Sequence, residues 1–362
     1  MRFHAPYMEW AKKRPSAAYD LAGSNVLACT IDDLAGARDA LTLSGNSDNG
    51  YTPLVAAIAE RYGVTPEQVA TANGAAGANF QAFAAILAPG DDVLMERPGY
   101  DPLPGAARLL GANVIYFDRR SADDFALDPE TVARAMTPRT RLIIITSPHN
   151  PTGVVTEPAA LKAVGDLARK AGASVVVDEV YLDAADTEAK SAVLLGDEFI
   201  STSSLTKSYG LSSLRCGWSL SSPAMAERIR RARDVIDGSG SVAAEQLGTL
   251  AFAQLDRLKA RTATILSRNR PLVHDFIRHR PDLEGILPAN STVVFPRIHG
   301  LDDTAAFAER LLNERGTAIV PGRYFDAPSH IRLGFGGPTV ALLAGLERLG
   351  AALDALGTPS QR

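Results

Sequence analysis

The chain has 362 residues, 46% hydrophobic and 22% charged, which is enough to bury a large core and too long for one small domain. Its net charge of -4 leaves no excess of cation to neutralise a nucleic-acid backbone or an anionic membrane, so neither partner is expected. Cys29 and Cys216 lie outside any CxxC or Cys/His cluster, so no metal site is expected and a reducing compartment, the cytoplasm, is the simple reading.

The stretch from Met1 to Trp10 has no apolar run ahead of Lys12-Lys13-Arg14, and no later stretch approaches membrane-spanning length. From about Tyr51 to Leu220, short apolar runs alternate with helical patterns. The runs are too continuous for half-exposed strands and predict a buried, mostly parallel sheet. The clearest strands are Val93–Met95, Leu142–Ile145, Val175–Val177 and Phe199–Ser201. Helices open at Asp128-Pro129 and at Thr156-Glu157-Pro158, the second stopping at Gly172. Beyond Pro223 come long helices with Arg-rich faces (Arg228, Arg230, Arg231, Arg233) that read as solvated, and another around Leu255 to Arg270. After Pro271, Thr292–Phe295 and Ile331–Leu333 alternate with helices, as in a smaller α+β domain.

Several loops at strand ends carry chemistry. Asn73-Gly74-Ala75-Ala76-Gly77-Ala78-Asn79 precedes an apolar helix, so the free N–H groups of the helix start can hold a phosphate. Tyr100, in Pro98-Gly99-Tyr100, offers a ring to stack on a planar ligand, or packs in the core. Asn150 stands between Pro148 and Pro151, which fix its backbone; it is otherwise a turn residue. Asp178 ends a buried strand in Val177-Asp178-Glu179-Val180-Tyr181, where open α/β sheets bind ligands; alone it also reads as a helix cap. Lys207, one of seven lysines against thirty arginines, sits among hydroxyls in Ser203-Ser204-Leu205-Thr206-Lys207-Ser208 with Arg215 further on. A lysine drawn from water beside an arginine has the depressed pKa that an imine-forming amine needs; the plain alternative is a surface lysine in a serine-rich loop.

Taken together, these segments resemble the class I/II pyridoxal-phosphate aminotransferases of fold type I. The similarity runs from Asn49-Gly50-Tyr51-Thr52-Pro53 to Ile331-Arg332-Leu333, with five motifs in family order and spacing. The resemblance implies a large domain with a mostly parallel seven-stranded sheet between helices and a smaller α+β domain. The expected divisions are 1–44 (N-terminal segment and part of the small domain), 45–267 (large cofactor domain) and 268–362 (small domain). It implies pyridoxal 5'-phosphate held by Lys207 as an imine, with Lys207 also the general base. Asp178 would partner the ring nitrogen, Tyr181 and Asn150 the ring phenolate, and Tyr100 would stack. Gly74, the Ala75 and Ala76 amides, Ser204 and Arg215 would hold the phosphate. Tyr51 would reach it from the neighbouring subunit of a homodimer. Arg332 would grip the substrate α-carboxylate with a bidentate fork, and Gly23 would form a substrate wall. Ala75-Ala76 departs from relatives that carry a hydroxyl or lysine there.

The implied activity is ping-pong transfer of an amino group from an amino acid to a 2-oxo acid. The alternatives are a lyase, decarboxylase or amino-acid cyclase on the same fold, and less so a non-catalytic cofactor sensor, for which no helix-turn-helix pattern is present. A dinucleotide site at Gly238-Ser239-Gly240 fails for want of a preceding strand. Tyr7, Arg97, Asn46 and His149 are further candidate pocket groups. No second arginine can be assigned to a side-chain carboxylate, so a dicarboxylate enzyme is not expected.

Overall fold

A computed structural model describes residues 4–185 and 189–357. The first three residues of the N-terminal stretch and the last five of the expected small domain lie outside the described residues.

The main sheet contains β1 (Val69–Asn73), β2 (Asp92–Arg97), β3 (Asn113–Asp118), β4 (Thr140–Thr146), β5 (Ser174–Asp178), β6 (Phe199–Ser204) and β7 (Cys216–Leu220). Their spatial order is β1-β7-β6-β5-β4-β2-β3. Neighbours are parallel except at β7, which runs antiparallel to both β1 and β6. This is the mostly parallel seven-stranded sheet that the resemblance implied, and each of the four strands expected from apolar runs is the core of β2, β4, β5 or β6. Helices cover both faces, so Val93–Met95, Leu142–Ile145 and Val175–Val177 are wholly buried. Each such side chain contributes about 1.5–3 kcal/mol of transfer free energy.

Local punctuation behaves as the sequence indicates. Asp128 accepts a hydrogen bond from the Glu130 N–H at the start of the Pro129–Ala135 helix. The Pro158–Ala171 helix ends on Gly172 in a left-handed conformation. The arginine face is different. Arg233 is buried, donating to Thr71 Oγ1 and the Ser47 carbonyl, and Arg230 donates to the Glu67 and Val69 carbonyls. These two cap backbone and strand groups that the charge pattern cannot reveal.

A second unit is built on the three-stranded order Val293–Val294, Ile331–Gly334, Val320–Pro321, all antiparallel, with Arg332 opposite Val320. Tyr19–Asp20 pairs with Thr317–Ala318, which ties the N-terminal segment to this unit. The long helix Leu255–Arg278 joins the two bodies. Its Leu255 and Leu258 pack in the core around Trp218, while Leu266, Val273 and Ile277 pack with Leu21, Phe335 and Leu349. The expected helix end at Pro271 is not observed. A proline there forfeits one hydrogen bond and crowds the preceding turn, about 3 kcal/mol, and burial of Val273 and Ile277 outweighs it. The division expected at 267/268 falls inside this helix.

β7 meets the start of the helix α2 (Gly74–Ile86) at Gly217, where an added Cβ would lie 2.4 Å from the Gly74 carbonyl carbon. Gly217→Ala is therefore expected to destabilise the protein by about 1–3 kcal/mol through overpacking, measured by chemical denaturation; an unchanged midpoint would contradict this close approach.

Candidate active site

The topology brings six chain segments to one edge of the sheet. β2, β4, β5, β6 and β1 all end there, and antiparallel β7 begins there. Their loops carry Tyr100, Asn150, Tyr181, Lys207 and Ala75-Ala76, while Arg215 directly precedes β7. They surround a cavity of about 370 Å³, large enough for a cofactor and a small substrate.

Lys207 Nζ donates to Ser24 Oγ at 2.9 Å and lies 5.8 Å from the centre of the Tyr181 ring. Burial pulls its pKa down to about 8; Tyr7 and Asp178 oppose that shift, and Arg332 and Arg215 add to it. Asp178 is buried, which pushes its carboxyl upward. The Asn79 amide (Nδ2 to Oδ2, 2.8 Å) and the Val180 N–H (to Oδ1, 3.1 Å) hold it the other way. Asn79 is itself fixed by Thr202 Oγ1, which donates to its Oδ1 at 2.6 Å.

Asn150 is set by a buried chain. Its N–H donates to Thr146 Oγ1 at 3.0 Å; the Thr146 N–H and hydroxyl donate to Glu96 Oε1 at 2.7 and 2.6 Å. Glu96 pairs with Arg119 at 2.9 Å, and neither side chain is exposed to solvent. Asn150 Oδ1 then accepts from Arg332 Nη1 at 3.0 Å. The other terminal nitrogen of Arg332 donates to the Tyr7 hydroxyl (2.8 Å) and the Ala22 carbonyl (3.0 Å), while its Nε is buried without a partner.

At the far end, Gly74 (φ +72°) opens α2, leaving the Ala75 and Ala76 N–H groups in its first turn. Arg215 Nη2 donates to the Asn73 carbonyl at 3.3 Å, and a Cβ on Gly74 would sit 2.1 Å from that nitrogen. A helix N-terminus beside a guanidinium is an anion cradle.

Nine sequence-predicted residues line this one cavity: Ala75, Ala76, Tyr100, Asn150, Asp178, Tyr181, Ser204, Lys207 and Arg215. Gly74 lies directly behind Arg215. Arg332 stands behind the wall, reached through Asn150 and Tyr7. Gly23 is exposed and not on the wall, where Ser24 and Asn25 stand instead. Tyr51 is also absent from this chain's wall; its N–H donates to Glu245 Oε2 and its ring packs beside the Trp218 core. Among the further candidates Tyr7 lines the cavity. His149 lies between Thr152 Oγ1 and the Pro98 carbonyl; burial and the Arg119 charge push its pKa well down against the Pro98 bond, while Arg97 pairs with Asp118 and Asn46 with Asp48. Sequence reasoning missed Asn79, Thr146, Ser24 and the wall made by the helix α1 (Pro6–Lys13). Asn79 had a signal, an amide inside an apolar helix; Ser24 had none.

The residues present fit pyridoxal phosphate, because a desolvated amine, a clamped carboxylate and an anion cradle closed to any Cβ share one cavity. Comparison with known proteins agrees. Residues 16–349 match the family described as aminotransferase class I and II. The chain is 30% identical to capreomycidine synthase from Streptomyces vinaceus over 98% of this chain and 94% of that one. It is 31% identical to a probable aspartate/prephenate aminotransferase from Thermus aquaticus, covering 84% and 82%. The crystal structure of a PLP-dependent aminotransferase from Streptococcus suis superposes with a TM-score of 0.93 at 28% identity over 99% and 100%. With its motifs, its sheet and its relatives in agreement, the chain belongs to the aminotransferase class I and II family and is a pyridoxal-phosphate-dependent aminotransferase of fold type I.

Proposed function

We propose that Lys207 both anchors the cofactor and moves the proton at the substrate Cα in transamination between an amino acid and a 2-oxo acid. The observation that carries this reading is the Lys207 amine, drawn down to about 8 by burial and aimed into the cavity beside Asp178 and Tyr181. At that pKa a substantial fraction is the neutral amine near pH 7–8, and its conjugate acid is strong enough to return the proton. Pyridoxal phosphate supplies the conjugated ring that takes up the electron pair left at Cα.

The chain's own groups do the rest. Asp178, held by Asn79, sets a negative charge at the end of β5 to keep a pyridine nitrogen protonated. Asn150 and Tyr181 donate to the ring phenolate, Tyr100 covers a ring face, and Ser204, Arg215 and the Gly74-Ala75-Ala76 turn hold the phosphate. Arg332 offers its guanidinium to the α-carboxylate, with Gly23 and the adjoining Ser24 and Asn25 beside it. The substrate leaves as its 2-oxo acid, and a second 2-oxo acid takes up the amino group.

We also assign Tyr51 to the site of a second subunit in a cytoplasmic homodimer. The two free cysteines, Cys29 half-buried and Cys216 buried, agree with a reducing compartment. A second reading has its own observation: similarity to the synthase covers 98% of this chain against 84% for the aspartate/prephenate enzyme. It is a lyase, decarboxylase or cyclase reaction that begins with the same proton removal. Product analysis separates the two, since transamination yields one 2-oxo acid per amino group transferred.

The purified enzyme should show a visible absorption band from bound cofactor that is lost in Lys207→Ala and bleaches when amino acids are added to wild type; a band that persists in the variant refutes the anchor. In apo-protein, an amine reagent should label Lys207 with a rate that rises with pH and is half-maximal near 8, since the neutral amine reacts; a midpoint near the ordinary value of 10.5 would contradict the burial argument. Mixing Tyr51→Phe subunits with Lys207→Ala subunits should restore activity, because one site of each hybrid then has both groups intact. No recovery in hybrids verified by mass spectrometry would remove Tyr51 from the shared site.

A further inference from the structure

The cavity has two chemically different ends. Asp178, Lys207, Arg215 and their neighbours make the polar one. The other lies between α1 and the helix α3 (Pro102–Leu109), and its wall is Met8 and Ala11 on one side and Pro102, Leu103 and Ala106 on the other. The two helices are pinned together at this corner. The Tyr7 N–H donates to Asp101 Oδ2 at 2.9 Å, the Tyr100 hydroxyl donates to Met8 Sδ at 3.4 Å, and the Tyr7 and Tyr100 rings meet edge to face at 5.6 Å.

The position of this corner relative to Arg332 fixes what it can bind. Arg332 touches the Tyr7 hydroxyl, so a carboxylate on Arg332 and an amino group near Lys207 leave the substrate's third substituent facing Met8, Tyr100 and Leu103. Among the described residues lining the cavity, the cationic side chains are Lys207 and Arg215, and both stand at the polar end. Of the charges on the two helices, Lys13 pairs with Glu9, Arg108 donates to the Tyr116 hydroxyl, and Lys12 is exposed and does not line the cavity. A charged side chain placed on this wall would lose its water and gain no partner.

We infer that this corner is the subsite for the substrate's side chain, that it takes neutral, extended apolar chains, and that Ala11 and Ala106 set their length. The inference rests on the proposed roles of Lys207 and Arg332. It separates the chain from enzymes that take dicarboxylates, since among the described residues of one chain this wall offers a side-chain carboxylate no counter-charge.

The test uses the cofactor-loaded enzyme and simple carboxylates that need only Arg332 and the wall. Calorimetry should give an affinity that rises about fourfold per methylene from propanoate to hexanoate, the ~0.8 kcal/mol expected for a buried CH2. Ala106→Phe and, separately, Ala11→Leu should flatten that rise while the cofactor band shows that each variant is folded and loaded. The kcat/KM for norleucine should exceed that for aspartate or glutamate by about 100-fold. Tighter binding of succinate or glutarate than of hexanoate, or a methylene increment that survives in both variants, would overturn the subsite. If the carboxylate series behaves as expected but no amino acid bleaches the cofactor band, transamination fails and the subsite stands.

Discussion

A parallel sheet with helices on both faces has nowhere to place polar chemistry except at its strand ends, and this constraint organises the molecule. Every residue from Leu142 to Ile145 and from Val175 to Val177 is wholly buried, so the polar side chains that follow these apolar stretches, Thr146 and Asp178, come only where β4 and β5 end. Those two sit opposite one another in the register. The carboxylate at the end of β5 cannot be solvated, and the protein answers with an amide from α2 and a backbone N–H. That carboxylate faces the cavity with little water to screen it, and burial leaves its pKa raised despite these donors.

The same logic extends one layer down. Glu96 and Arg119 form an ion pair with no solvent exposure, and such a pair gives little net stability once desolvation is counted. Its oxygens instead take both donors of Thr146, and through Thr146 they fix Asn150. The pair thus resembles a mounting for the loop between β4 and the site more than a staple for the core. Burial raises the Glu96 carboxyl while Arg119 and Thr146 lower it, so the mounting depends on all three remaining together.

The fold was largely legible because strands buried on both faces read as unbroken apolar runs, as at Ile143-Ile144-Ile145, and helices carry Pro and Gly at their ends. Lys207 and Asp178 were legible because strand-end position and residue type coincide there. What escaped was tertiary pairing. Nothing near Asn79 in the chain indicates that Asp178, 99 residues away, is its partner, and Tyr7 and Arg332 are separated by 325 residues. Pro271 misled for the opposite reason: a strong local signal for a helix end was overruled by two buried side chains beyond it. Beside Gly23, Ser24 touches Lys207, a contact between residues 183 apart that no local pattern carries.

The bond between Arg332 and the Tyr7 hydroxyl has a consequence for α1 as a whole. None of that helix's residues is fully buried, and its tie to the arginine joins a half-buried N-terminal helix to a fully buried cation. An anion that draws the guanidinium away from Tyr7 changes the stability with which α1 is docked, and thermodynamic linkage makes the effect mutual. An anion held by Arg332 and the docking of α1 would therefore favour or oppose each other by one shared coupling factor. The helix and the anion are, in effect, ligands of one another.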